Sequence, residues 1–231
     1  QTNKAAIKLV DKFNQTYKNK YALTPRFAPT THPDVMRATA KMAKKHRSYI
    51  QTHLSETENE ISWVLDMYKN FPGFEDVETY TDIYGRCDLL GPRTLMGHGI
   101  YLSELERKQL AKTLTTVVHC PTSNAPINEN GLGSGLFDFK TAEKDGLNWV
   151  MGSDIGGGPF LSMFDVIRSF VSQNTKAKVK GATYIKGLYR STLSGAEVLN
   201  IDKRKGNFSA GKEANFILVK TPKSSTYRNA E

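Results

Sequence analysis

Four side chains able to bind a divalent cation sit at the ends of apolar runs in this sequence. His53 follows Ile50-Gln51-Thr52, His98 follows Leu95-Met96-Gly97, His119 follows Val117-Val118, and Asp154 follows Val150-Met151-Gly152-Ser153. Neutral imidazole and carboxylate are the donors that hold catalytic zinc while leaving one position open for water. A zinc ion so held lowers the pKa of that water toward about 7, which makes hydrolysis feasible at neutral pH. Glu56 lies three residues beyond His53, where it could carry a proton to and from a reacting group. Each residue also has a structural alternative. A lone histidine at a strand end is commonly a satisfied core residue. Asp154 could cap a helix ahead of Pro159, and Glu56 could sit in the first turn of the next helix, where the dipole favours a carboxylate. Equivalent positions on four successive runs argue against coincidence.

For these groups to meet, the runs must be parallel strands opening on one rim. Strand-like stretches at Tyr21 to Phe27, Ser48 to His53, Thr94 to His98, Thr116 to Cys120 and Asn148 to Asp154 alternate with helical ones. The helices are expected at Ala5 to Tyr17, Pro33 to Lys45, Glu58 to Lys69, Ser103 to Thr113, a short one through Thr141 to Asp145, and Phe160 to Ser172. Thr31 is a candidate N-cap ahead of Pro33, and Ser103 with Glu106 has capping-box spacing. Ile7, Val10, Phe13 and Tyr17 share one helix side, and Ile61, Val64, Leu65 and Tyr68 another. Strand then helix, repeated without a Gly-x-Gly-x-x-Gly turn, points to a TIM-type (β/α) barrel and away from a dinucleotide-binding sheet. In such a barrel every strand's C-terminal end opens on the same mouth. Residues 1–193 are read as a partial barrel and 194–231 as the start of a small β-rich unit, with Asn215 to Val219 as one of its strands.

Composition excludes several classes. The 231 residues are 39% hydrophobic, enough for a packed core. No apolar run approaches the roughly 20 residues that span a bilayer, and no signal peptide opens the chain, so no membrane partner and a cytoplasmic location are expected. Two cysteines, Cys87 and Cys120, make neither a disulfide framework nor a cysteine zinc site, and Cys120 is read as a core residue. The net charge of +9 raises nucleic acid as a partner. The lysines are dispersed, however, along Lys4, Lys8 and Lys12, at Lys176, Lys178 and Lys180, and at Lys203 and Lys205, with no aromatic platform between them. Nucleic-acid binding is therefore not expected. His32 and His46 fall outside the strand-end pattern and are read as surface residues.

Several segments together resemble the guanine deaminases of the amidohydrolase superfamily. They are Arg26-Phe27-Ala28-Pro29, Gln51-Thr52-His53-Leu54-Ser55-Glu56, Gly97-His98, His119-Cys120-Pro121-Thr122-Ser123-Asn124, Leu132 to Phe137, and Gly152-Ser153-Asp154-Ile155-Gly156-Gly157-Gly158. Their order and spacing agree from about Tyr21 to Gln173. The resemblance implies hydrolytic deamination of guanine to xanthine and ammonia, with one zinc per subunit bound by His53 and Asp154. It implies Glu56, His98 and Asp154 as catalytic residues. His53, Glu56 and Asp154, with Arg26 on the purine's carbonyl edge and Phe27 against its ring, would contact the substrate. His119, Ser123 and Asn124 would shape the surrounding loop, and a homodimer is expected.

The family also supplies a His-x-His metal pair and a nearby glutamine from its first strand. Neither occurs here, and we expect both upstream of Gln1. Two readings compete: a sister amidohydrolase deaminating or dechlorinating another aminated heterocycle, or a catalytically silent scaffold if that strand is absent. The other zinc deaminase class, with His-x-Glu and Pro-Cys-x-x-Cys, has no counterpart in this sequence.

Overall fold

A computed structural model describes residues 5, 8, 9, 11–13, 16 and 21–220. Five parallel strands form one sheet in chain order, β1 Ala22–Leu23, β2 Tyr49–Leu54, β3 Thr94–His98, β4 Thr116–His119 and β5 Trp149–Met151. Between and after them run α1 Pro33–His46, α2 Glu58–Tyr68, α3 Tyr80–Arg86, α4 Glu104–Thr113, α5 Pro121–Asn124, α6 Phe139–Lys144, α7 Met163–Lys176, α8 Tyr184–Ser191 and α9 Leu193–Val198. Parallel neighbours joined in sequence by helical crossovers are an arc of a (β/α) barrel. Among the described residues, no helix is long and apolar enough to cross a membrane.

Local chemistry explains most boundaries. Thr57 and Glu60 close a capping box at the head of α2, and Ser103 and Glu106 close the expected one at α4. The cap of α1 is His32, not Thr31, because the His32 ring accepts from the Asp34 amide. Only Ala22–Leu23 of the stretch Tyr21 to Phe27 joins the ladder, since Pro25 has no N–H to donate. The strand at Asn148 to Asp154 contracts to three residues, and the helix expected at Phe160 starts at Met163 behind an irregular loop. Asn215 to Val219 is not a strand: no ladder partner for it exists among the described residues, and it is exposed. The described residues within Ala5 to Tyr17 are helical; Lys4, Ile7, Val10 and Tyr17 lie outside the described residues. His46 is not a free surface residue but lies half-buried, 2.6 Å from Asp11 Oδ1.

Two aromatic groups fill the helix-facing side of the sheet. Trp149, Phe137, Phe139 and Phe170 pack around His119, while Tyr68, Phe74, Tyr80 and Tyr84 pack under α2 and α3. Tyr84 links this core to the strand ends. Its hydroxyl donates to the His53 carbonyl at 2.7 Å and accepts from the Ala28 amide at 3.1 Å. Burial pushes the phenol up to about 12, so it keeps its proton at working pH. Tyr84→Phe would strip a partner from the buried Ala28 amide and from the half-buried His53 carbonyl. We expect it to cost about 1–3 kcal/mol in urea unfolding, well above a surface substitution.

Candidate active site

Strand parity decides which rim residues can meet. Side chains alternate between faces, and paired residues of parallel strands point the same way. In β2 the buried Ile50, Thr52 and Leu54 face the helices, which turns Gln51 and His53 to the concave side. Val117 pairs with Trp149 and His119 with Met151, all on the helix side. His119 therefore points away from the mouth. It is 1% exposed, stacks on Phe137 at 5.0 Å, and neither ring nitrogen has a partner. Burial, with His98 nearby, pulls its pKa down to about 3, so the ring is neutral. Cys120, beside it, is buried as expected, and burial raises its thiol pKa, with Asp154 adding to the effect.

His98 has the same parity as His119, yet it reaches the mouth. Its φ of 73° swings the chain over at the end of β3, bringing its ring centroid within 5.1 Å of His53. Ser55 and Asp154 also adopt left-handed backbone, with φ of 48° and 47°. Three non-glycine residues in this sparsely populated region at one rim mark a place where geometry has outweighed local preference. The loop after β5 curls around Asp154, whose carbonyl accepts from the Gly157 amide at 3.0 Å and the Gly158 amide at 2.6 Å. A Cβ on Gly157 would lie 2.6 Å from Asp154 Oδ2, so a side chain there would displace the carboxylate. Asp154 is therefore not a helix cap; Ser162 holds that position for α7.

His53, His98 and Asp154 each present a ligand atom, all within 4.8 Å of one another, a spacing that could hold a metal ion. His53 Nδ1 lies 2.7 Å from the Arg26 carbonyl, which can only accept, so Nδ1 carries the proton and Nε2 is left with its lone pair. The donor set suits a nitrogen- and oxygen-binding divalent ion, but three protein ligands require His98 to join, or others to be supplied. Glu56 stands before the α2 cap and outside the helix. Its Oε1 accepts from Ser134 Oγ at 2.7 Å and Asn124 Nδ2 at 3.2 Å, while Oε2 is 3.7 Å from His98 Nε2.

These groups line one open cleft of about 730 Å³, together with Arg26, Phe27, Asn59, Trp63 and Leu132. The Arg26 guanidinium sits over the Phe27 ring at 4.6 Å, exposed at the mouth. The sequence reading missed Trp63, and it quoted Leu132 and Ser134 only within the Leu132 to Phe137 segment, without giving either a role. Trp63 could have been suspected as a large aromatic on the polar side of α2; Ser134 lies in a quoted segment, but nothing in that segment points to a bond with Glu56.

A parallel (β/α) arc carrying two imidazoles and two carboxylates on its C-terminal rim is the architecture of metal-dependent hydrolases. The chain belongs to the amidohydrolase family, whose model matches residues 2–230. Within that family it is similar to guanine deaminases. It is 32% identical over 212 residues to guanine deaminase of Escherichia coli, covering 91% of this chain and 46% of the relative. A solved structure of E. coli guanine deaminase superposes with a TM-score of 0.82 at 31% identity, covering 93% of this chain and 48% of the other. Guanine deaminase of Dictyostelium discoideum is 35% identical over 202 residues, 85% of this chain and 42% of the relative. A guanine deaminase from C. acetobutylicum with guanine bound in its active site matches with a TM-score of 0.77 at 29% identity, over 90% of this chain and 49% of the other. The chain spans about half the length of the curated relatives it matches.

Proposed function

We propose that this chain is part of a guanine deaminase, converting guanine and water to xanthine and ammonia. The observation that carries the reading is the meeting of His53, His98 and Asp154 donor atoms beside Glu56 in one cleft, with Arg26 at its mouth. The choice of guanine rests on the similarity to guanine deaminases over most of this chain. His53 Nε2 and the Asp154 carboxylate would hold one zinc ion per subunit, completed by ligands from outside this chain. When bound, zinc makes water acidic enough to attack near neutral pH.

The protein's own groups then move protons. An Asp154 carboxylate oxygen takes a proton from the attacking water. Glu56 Oε2 takes the water's other proton and passes it to a ring nitrogen, then relays the proton held by Asp154 to the departing amine, so that the C–N bond breaks, ammonia leaves and the carbonyl of xanthine remains. The His98 ring donates to the oxygen as negative charge builds on it. Arg26 donates to the purine's carbonyl edge, and Phe27 walls the ring.

Ammonia release measured across guanine, adenine, cytosine and aminated triazines tests the substrate. Guanine is expected to dominate; a preference for a triazine would move the protein to a sister activity. A charge-assisted hydrogen bond is worth about 1.5–3 kcal/mol. Arg26→Ala is therefore expected to raise KM for guanine about 10- to 100-fold with a smaller change in kcat. A fall in kcat at constant KM would remove Arg26 from substrate binding. A homodimer in the cytoplasm belongs to the same proposal, and sedimentation and cell fractionation test it.

A further inference from the structure

The proposed proton carrier is itself held, and by one oxygen only. Asn124 and Ser134 are 1% and 4% exposed, and both converge on Glu56 Oε1. A carboxylate can only accept, so the Asn124 atom facing Glu56 must be its amide nitrogen. That same nitrogen is 3.0 Å from His98 Nδ1, closer than Asn124 Oδ1 at 3.5 Å. With one proton directed at each neighbour, Asn124 fixes two things. It pins Glu56 Oε1, and it makes His98 Nδ1 an acceptor. The neutral ring then carries its proton on Nε2, facing Glu56 Oε2 and the cleft.

The surrounding backbone is built to keep these donors in place. Asn124 ends α5, where its amide bonds to the Cys120 carbonyl at 3.0 Å and its carbonyl accepts from the Gly135 amide at 3.2 Å. The Ser134 carbonyl accepts from Tyr101 Oη at 2.8 Å. A Cβ on Gly131 would fall 2.1 Å from the Ala125 carbonyl oxygen, so the loop joining the two donors packs directly against itself.

We propose that Asn124 and Ser134 are positioning residues that divide the labour of the Glu56 carboxylate. Oε1 is the anchored oxygen and Oε2 the one that moves protons. Asn124 at the same time sets His98 as a hydrogen-bond donor to the reacting oxygen and not as a metal ligand. The inference rests on the deaminase reading of this site and deepens it.

The test uses the full-length, zinc-loaded enzyme with guanine as substrate. Positioned proton transfer contributes about 10²- to 10⁴-fold, and loss of orientation forfeits part of that. Asn124→Asp, which keeps the shape but replaces the donor with a carboxylate, is expected to lower kcat about 100-fold, with KM and zinc content within about threefold of wild type. Ser134→Ala is expected to lower kcat about 10-fold, and Ser134→Thr, which restores a hydroxyl, to recover most of it. Nitrogen-15 spectra of labelled histidine should report His98 as the Nε2–H tautomer in the wild type and the Nδ1–H tautomer in Asn124→Asp. Wild-type kcat in both Asn124→Asp and Ser134→Ala, or an Nδ1–H ring in the unmodified enzyme, would overturn the inference. If Asn124→Asp does not fold, the Ser134 pair and the wild-type spectrum decide alone. Absence of ammonia release from guanine in the zinc-loaded wild type would sink the deaminase reading itself; an inactive Glu56→Gln beside normal Asn124 and Ser134 variants would sink only the positioning role.

Discussion

Glu56→Gln in the full-length enzyme is expected to cut ammonia release from guanine by about 10³-fold or more while leaving bound zinc unchanged. Glutamine matches glutamate in shape, and its amide oxygen can still accept from Ser134 Oγ, which sits 2.7 Å from Glu56 Oε1. The folded structure should therefore survive. What is lost is the capacity to take up and release a proton at Oε2, the oxygen turned toward His98 Nε2. Because Glu56 lies before the α2 cap, and Thr57 and Glu60 make the capping contacts, helix stability offers no competing explanation. Steady-state assay of ammonia, with metal analysis on the same samples, checks both halves. Undiminished turnover would take Glu56 out of the chemistry.

Asp154→Asn should abolish turnover and metal binding together. An outer-shell partner of a metal ligand is worth about 10- to 100-fold in affinity. Removing a charged ligand should exceed that. The substitution isolates the side chain unusually well. Asparagine tolerates left-handed backbone as aspartate does, so the φ of 47° carries little penalty. The Gly157 and Gly158 amides bond to the Asp154 backbone carbonyl, not to its carboxylate, so the loop keeps its shape. Zinc titration and thermal melts distinguish the outcomes: loss of zinc at near-normal apoprotein stability supports ligation. A variant that retains full zinc content would show that Asp154 does not hold the ion.

The elements around the site were largely legible because their signals are local. β3 was read with its ends intact, and α1, α2, β2, α4 and β4 within a residue or two at each end, since apolar period and capping residues lie within a few positions. The short helices α3, α8 and α9 were missed. Helices of six to eight residues offer too few turns for a periodic stripe, and packing rather than propensity maintains them. The Asn215 to Val219 segment failed in the other direction. Its apolar run suggests a strand, but a strand exists only where a neighbour completes its hydrogen bonds, and that is not a property of the segment.

The same division holds at the site. From residue types and spacing came the ion-binding chemistry, the rim on which it must gather, and His53, His98, His119 and Asp154 as its candidates, while the role of Glu56 came chiefly from the family resemblance. Tertiary structure decided which histidine turns inward. His98 and His119 end neighbouring strands with the same parity; a left-handed φ at His98 sends one ring to His53, and the other stays among Phe137, Trp149 and Phe170. It also decided that Ser134, 78 positions from Glu56, supplies a hydrogen bond to it. Backbone dihedrals at a strand end and pairings between distant loops are set by how the whole chain packs, so no window of sequence contains them.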